Sequence, residues 1–324
     1  MKRIFNILMV FFIVSMLTVP AFAANRTTMF GEWVPGGMFF LNDMLNAQGT
    51  VFYVDSNTGT DAAGYGQNPN IPYGTIDYAI GQCTANKGDV ILVFPQHAGT
   101  IATSITCDVA GVTIIGLGHG NSRPTLTTTA ATDCITVTAD DVTIANLIFA
   151  APGIDAVTAD INIAAARCTV LDTVHHGSTT AMNKVDVITI TAAGHDAVLD
   201  GVKIYNDTVE VVGGIVLEGA AKRVWIENCM VFDSIGFTNG SLSDEATALG
   251  LVVKDSYFTN AKADTVNIEF GNNTTGMMIN CFSNGRHTTI ASNIAAGTGM
   301  AFYETYTVEE AAKNGLLMPV VDAD

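Results

Sequence analysis

Two stretches of the chain, GVTIIGLGHG at 111–120 and DVTIANLIFA at 141–150, begin alike and stand 30 residues apart. Both contain an apolar residue, any residue, then Asn, Asp or Gly, followed by a small or apolar residue. The same pattern returns in TVLDTV (169–174), AVLDGV (197–202), WIENCM (225–230), VVKDSY (252–257) and MMINCF (277–282). Its polar position falls at Gly116, Asn146, Asp172, Asp200, Asn228, Asp255 and Asn280, with spacings of 30, 26, 28, 28, 27 and 25 residues. A near-constant period of this length marks a solenoid, whose units bury their apolar faces only against their neighbours.

What fills the period selects the solenoid. The segments alternate Val, Ile and Thr, as in Ile135-Thr136-Val137, Val187-Ile188-Thr189-Ile190 and Val266-Asn267-Ile268-Glu269-Phe270. That is strand periodicity, and the i, i+3, i+4 spacing of helices is nearly absent. Helical-repeat arrays and leucine-rich repeats lose their defining features here. Strands that recur once per coil stack in parallel at about 4.8 Å, which gives a parallel β-helix. Hexapeptide coils and calcium-binding nonapeptides have shorter periods, so the right-handed form is expected, an all-β fold.

The opening segments carry a resemblance. VFYVDSNTGTD (51–61), PYGTIDYAI (72–80) and KGDVILVFP (87–95) give a strand, a Gly/Asp-rich loop, a short helix and a second strand. With the repeat, they resemble right-handed parallel β-helix proteins of the pectate-lyase-like superfamily, over roughly residues 51–285. The resemblance implies the fold strongly and the function weakly. The superfamily includes polysaccharide lyases, glycoside hydrolases, phage tailspikes, adhesins and secreted or virion-associated proteins. In the opening helix Ile76, Ala79, Ile80 and Cys83 form one stripe with Thr75 as its cap. A second short helix is expected at Val308–Asn314.

The expected organisation is a leader over 1–23, an extension over 24–50, the β-helix over 51–300 and a C-terminal cap or tail over 301–324. Met1–Arg3 are positive at their end, Ile4–Val19 are apolar and Ala21-Phe22-Ala23 fits a cleavage site, so a secretory signal is read, with an uncleaved anchor as the alternative. The chain carries a net charge of −17. Loss of Lys2 and Arg3 with the leader leaves 12 basic against 31 acidic residues, a charge of −19. Such an anion repels phosphate backbones and anionic lipid, so neither nucleic acid nor, after cleavage, a membrane is an expected partner. Six cysteines are widely spaced and form no C-x-x-C pair. Cys229 and Cys281 stand two coils apart, a separation of about 10 Å that a disulfide does not span, and are expected free.

Chemistry on such a fold needs columns of residues from neighbouring coils. The Asn/Asp column is first a turn ladder, since these residues tolerate sharp bends and bond neighbouring amides. Within it Asp172 and Asp200 would stand about 5 Å apart, the separation of a retaining glycosidase pair and also a start for a calcium site. His175, with His176 beside it, follows Asp172 closely. Asp172, His175 and Asp200 are therefore the candidate catalytic residues, and Asp172 and Asp200 the candidate calcium ligands; no organic cofactor is expected. Of the polygalacturonase motifs only Asp140-Asp141 and His176-Gly177 have counterparts. The arginines at 123, 167, 223 and 286 share no evident column, the tyrosines look scattered, and Trp225 reads as core or rim. No nucleophile elbow, P-loop or H-E-x-x-H is present. The leading expectation is a secreted structural or surface-interaction protein, partnered by copies of itself or by a virion or extracellular assembly. The alternative is a glycan-active enzyme, a lyase or hydrolase, whose polysaccharide lies in a side groove.

Overall fold

The computed structural model describes residues 49–179, 182–263, 265–285, 293–296, 299–308 and 316–318. All belong to one compact unit spanning Ala47–Asp324. The leader and nearly all of the 24–50 extension lie outside the described residues. Of the expected C-terminal helix only Val308 is described, and it closes a strand.

Three sheets run the length of the solenoid. Sheet A has ten strands, from Val51–Val54 through Thr113–Gly116 and Trp225–Glu227 to Met300–Tyr303. Sheet B also has ten, nine from Ala98–Ile101 to Thr305–Val308 and a tenth, Leu316–Met318, paired antiparallel at its end. Sheet C has eight, from Ile105–Cys107 to Ile294–Ala295. Every pairing within the stack is parallel, and each coil visits A, B and C in turn, the right-handed β-helix that the period predicts.

The alternation of each strand separates core from surface. Ile114, Ile144, Val170, Leu199, Ile226 and Val253 stack inside sheet A, and Ile135, Ile161, Ile188, Ile215, Leu242 and Ile268 inside sheet C. Each such side chain contributes about 1.5–3 kcal/mol by burial. Helix α1, Ile76–Ile80, buries Ile76, Ala79 and Ile80 against this core, and Thr75 caps it by accepting from the Tyr78 amide.

Two ladders of left-handed residues bracket sheet A. After its strands come Asn146, Asp172, Gly201, Asn228, Asp255, Asn280 and Glu304, with φ between 47° and 69°. Before them come Gly111, Asp141, Arg167, Asp196, Arg223 and Gly250, with φ between 56° and 74°. The second ladder brings Arg167 and Arg223 into one column, which their spacing did not reveal. Arg167 holds Asp141 through Nε at 2.6 Å, and Arg223 holds Asp196 through Nε at 2.5 Å. All six cysteines are free, Cys229 and Cys281 among them with Ser256 between. Burial pushes the Cys229 thiol up to about 12.

Candidate functional site

The register offsets Asp172 and Asp200 by one residue on adjacent coils, where the Asp172 amide donates to the Asp200 main-chain oxygen at 2.9 Å. Asp200 is paired with Leu171 and Glu227, one residue before the turn position, which Gly201 occupies instead. The reason is steric: a Cβ at Gly201 would stand 2.6 Å from Asp172 Oδ1, so only glycine admits the neighbouring carboxylate at a positive φ. Asp172 and Asp200 are thus not equivalent rungs of one ladder. Asp200 Oδ1 accepts from Asn228 Nδ2 at 2.8 Å, while the main-chain oxygen of Asp172 accepts from Arg123 Nη1 at 2.9 Å. His175 points inward, in register with Phe149 and Ile204, and is fully buried. Among the described residues no three His, Cys, Asp or Glu side chains converge as metal ligands.

The scattered tyrosines assemble. On the outer face of sheet B, His176, Tyr205, Phe232, Tyr257 and Phe282 form a continuous run with ring centroids 5.9, 5.7, 5.5 and 5.1 Å apart. Three of these four contacts are stacked, so the rings cover one another's faces. A sugar platform needs a free face, and this ladder is packing instead. Trp225 is in neither core nor rim; it stands on the outer face of sheet A, 40% exposed.

Polar chemistry concentrates on the outer face of sheet C. Thr136, Asn162, Thr189, Val216, Ser243 and Glu269 form one column in register. The residues flanking the strands lean over it. Asn239 precedes the strand Leu242–Asp244 and Glu245 follows it, yet Asn239 Nδ2 donates to Glu245 Oε1 at 2.9 Å, across Ser243. A cleft of about 450 Å³ opens here, lined by Asn239, Ser243, Asp244, Glu245 and Glu269 with neighbouring loop residues. Asp244 is tied to the amides of Ala246 and Ala248 and to the Thr274 hydroxyl, which fixes that wall.

Along the same face Asp186 is only 7% exposed. Its carboxylate lies over Gly213 and beside Val216: a Cβ on Gly213 would stand 2.5 Å from Asp186 Oδ1 and 2.3 Å from Val216 Cγ2. Burial, reinforced by the charges of Glu218 and Glu245, pushes Asp186 up to about 7. Glu218 is raised too, by burial and then by Glu245 and Asp133. Further along, Asp133 Oδ2 accepts from Thr136 Oγ1 at 3.1 Å and from Asn162 Nδ2 at 2.9 Å. Asp133 Oδ1, Asn162 Oδ1 and Ser243 Oγ are buried without a hydrogen-bond partner. None of these groups belongs to the polar repeat, so the period that located the turns gave no pointer to them.

No protein-family model matches the sequence, and no curated protein does. Among solved structures, pectate lyase Pel9A is similar over 80% of this chain and 77% of its own, with a TM-score of 0.51 at 13% identity. The fold is the pectate-lyase-like parallel β-helix. A GH136 lacto-N-biosidase from Eubacterium ramulus is similar over 84% of this chain and 69% of its own, with a TM-score of 0.41 at 10% identity. Among the described residues, no helix of this β-helix is long and apolar enough to cross a membrane.

Proposed function

We propose that the chain is an exported protein that binds a neutral glycan along the outer groove of sheet C. The observation that carries this reading is the trio of unpartnered buried atoms, Asp133 Oδ1, Asn162 Oδ1 and Ser243 Oγ, all on one face. Buried polar atoms ordinarily have partners, and a polyol long enough to cross several coils supplies hydroxyl donors and acceptors at each end of the column. The acidic walls favour a neutral chain over a polyuronate. The sequence of Met1–Ala23, an apolar run behind Lys2 and Arg3 that ends in Ala21-Phe22-Ala23, supports export.

The same groove supports hydrolysis. Asp186 retains its proton toward neutrality beside the carboxyl groups of Glu218 and Glu245, and a proton donor with further carboxyl groups beside it is the equipment of glycoside cleavage. Calorimetric titration with neutral and uronic polysaccharides tests binding: neutral chains should bind, and Ser243→Leu and Asn162→Leu should weaken them. Failure of every neutral glycan to bind ends the reading. Reducing-end release that Asp186→Asn abolishes would establish cleavage.

A second reading, self-association, is favoured by an apolar strip on sheet A. Trp225, Val252 and Met277 stand in one column there, Trp225 and Met277 40% and 44% exposed, and Tyr303, 64% exposed, ends the column of Ile279 two residues along. Sedimentation of the full chain as monomer alone at micromolar concentration rules it out.

A further inference from the structure

One place in the interior is filled by reactive groups where its neighbours hold hydrocarbon. Asp160, His175 and Lys184 are 1%, 0% and 0% exposed. Lys184 Nζ donates to Asp160 Oδ2 at 2.6 Å and to the main-chain oxygen of His176 at 2.6 Å. His175 Nδ1 meets the same Asp160 Oδ2 at 2.9 Å, and its Nε2 meets Thr173 Oγ1 at 2.9 Å. Phe149 lies flat against the imidazole, 4.5 Å away and tilted by only 2°. Lys184 and Asp160 belong to successive coils, since Lys184 bridges Val157 in parallel.

An ammonium and a carboxylate shut away from water are a costly pair, and their contact leaves one route by which both charges vanish together. Moving a proton from Nζ to the carboxylate gives an amine and a carboxylic acid already in contact, held there by neighbours that cannot move aside.

We propose that Lys184 and Asp160 condense into an intramolecular amide that staples two successive coils. The neutral Nζ attacks Asp160 Cγ, the Nζ–Cγ bond forms and the Cγ–Oδ2 bond breaks. Oδ2 leaves as water, carrying the acid proton and one of the two amine protons. His175 is the group placed to carry that proton. With Nδ1–H facing Oδ2 it donates to the departing oxygen and is restored by the proton that Nζ sheds, while the Thr173 hydroxyl donating to Nε2 holds this tautomer. The amide nitrogen keeps one hydrogen, which continues to donate to the His176 carbonyl. One water is released and nothing is oxidised or reduced.

Peptide mapping of the full chain, denatured and with its thiols reduced and blocked, tests the bond. The expected result is a branched peptide that joins the segments containing residues 160 and 184. Its mass is one water below their sum, and trypsin fails to cut after Lys184. Complete recovery of a linear peptide ending at Lys184 overturns the proposal. In His175→Gln, folded by circular dichroism, the branched fraction formed in a fixed time should fall at least tenfold. An unchanged fraction overturns the role given to His175.

Discussion

Burial and acidic neighbours make Asp186 hold its proton far above the usual carboxylate range, and its effect on stability has a definite sign. Its folded-state value, about 7, lies above the ordinary 3.8. Between those values the folded chain holds a proton that the unfolded chain has lost, so stability falls as pH rises through this window and is flat on either side. Asp186→Asn removes the slope. Urea midpoints should be equal near about pH 4 and diverge upward, the variant being more stable by about 1–3 kcal/mol near pH 8. Equal midpoints at both pH values would mean that Asp186 is solvated. Gly201 is the opposite kind of residue, fixed by backbone and not by charge. Gly201→Val places a branched side chain at φ 69° and against Asp172 Oδ1, so chemical unfolding should register a loss of about 2–3 kcal/mol. Asp172→Asn, which keeps shape and acceptor, should leave the midpoint unchanged.

At the scale of elements, each sheet face carries a ladder, and ladders predict coupling between coils. Tyr205 and Phe232 stack at 5.7 Å with an 11° tilt. A double-mutant cycle with both changed to Ala should return a coupling of about 0.5–1.5 kcal/mol. Additive single effects would mean that the rings merely share a surface. These ladders also explain what the sequence could disclose. The turn column was legible because a left-handed bend favours Asn, Asp or Gly, which fill every rung but Glu304, a signal strong enough to fix the period and with it the fold. It failed by one residue at Asp200, because Asp-Gly offers two acceptable occupants and only the three-dimensional clash with Asp172 selects between them. His175 follows the same logic in reverse. Its polarity pointed to a surface site, but strand alternation places it inward beside Phe149. The groove on sheet C was not legible at all. Its acids open a strand, as Asp186 does, or follow one, as Glu218 and Glu245 do, at positions with no compositional constraint, and only the parallel register brings the three within electrostatic reach.

For the molecule as a whole, charge is the dominant unspent interaction. With 31 acidic against 14 basic residues the folded chain repels itself, and screening should stabilise it: the melting temperature should rise with added salt. The same excess of carboxylates attracts any divalent cation, so stabilisation by calcium is not in itself a sign of a site. Comparison with magnesium at matched ionic strength separates the two effects, because magnesium demands near-octahedral geometry and a diffuse atmosphere demands none. Asp172 and Asp200 stand one residue out of step and are not equivalent rungs of the turn ladder, and the expected outcome is that the two salts raise the melting temperature equally. A calcium-specific rise, lost on chelation and abolished by Asp200→Asn, would instead place an ion at the sheet A turns, bridging Asp200 to the Asp172 carboxylate over Gly201. A calcium-specific rise that survives this substitution but disappears in Asp186→Asn would move the ion to the groove. There it would displace the Asp186 proton, so the effect would weaken as the pH falls below about 7.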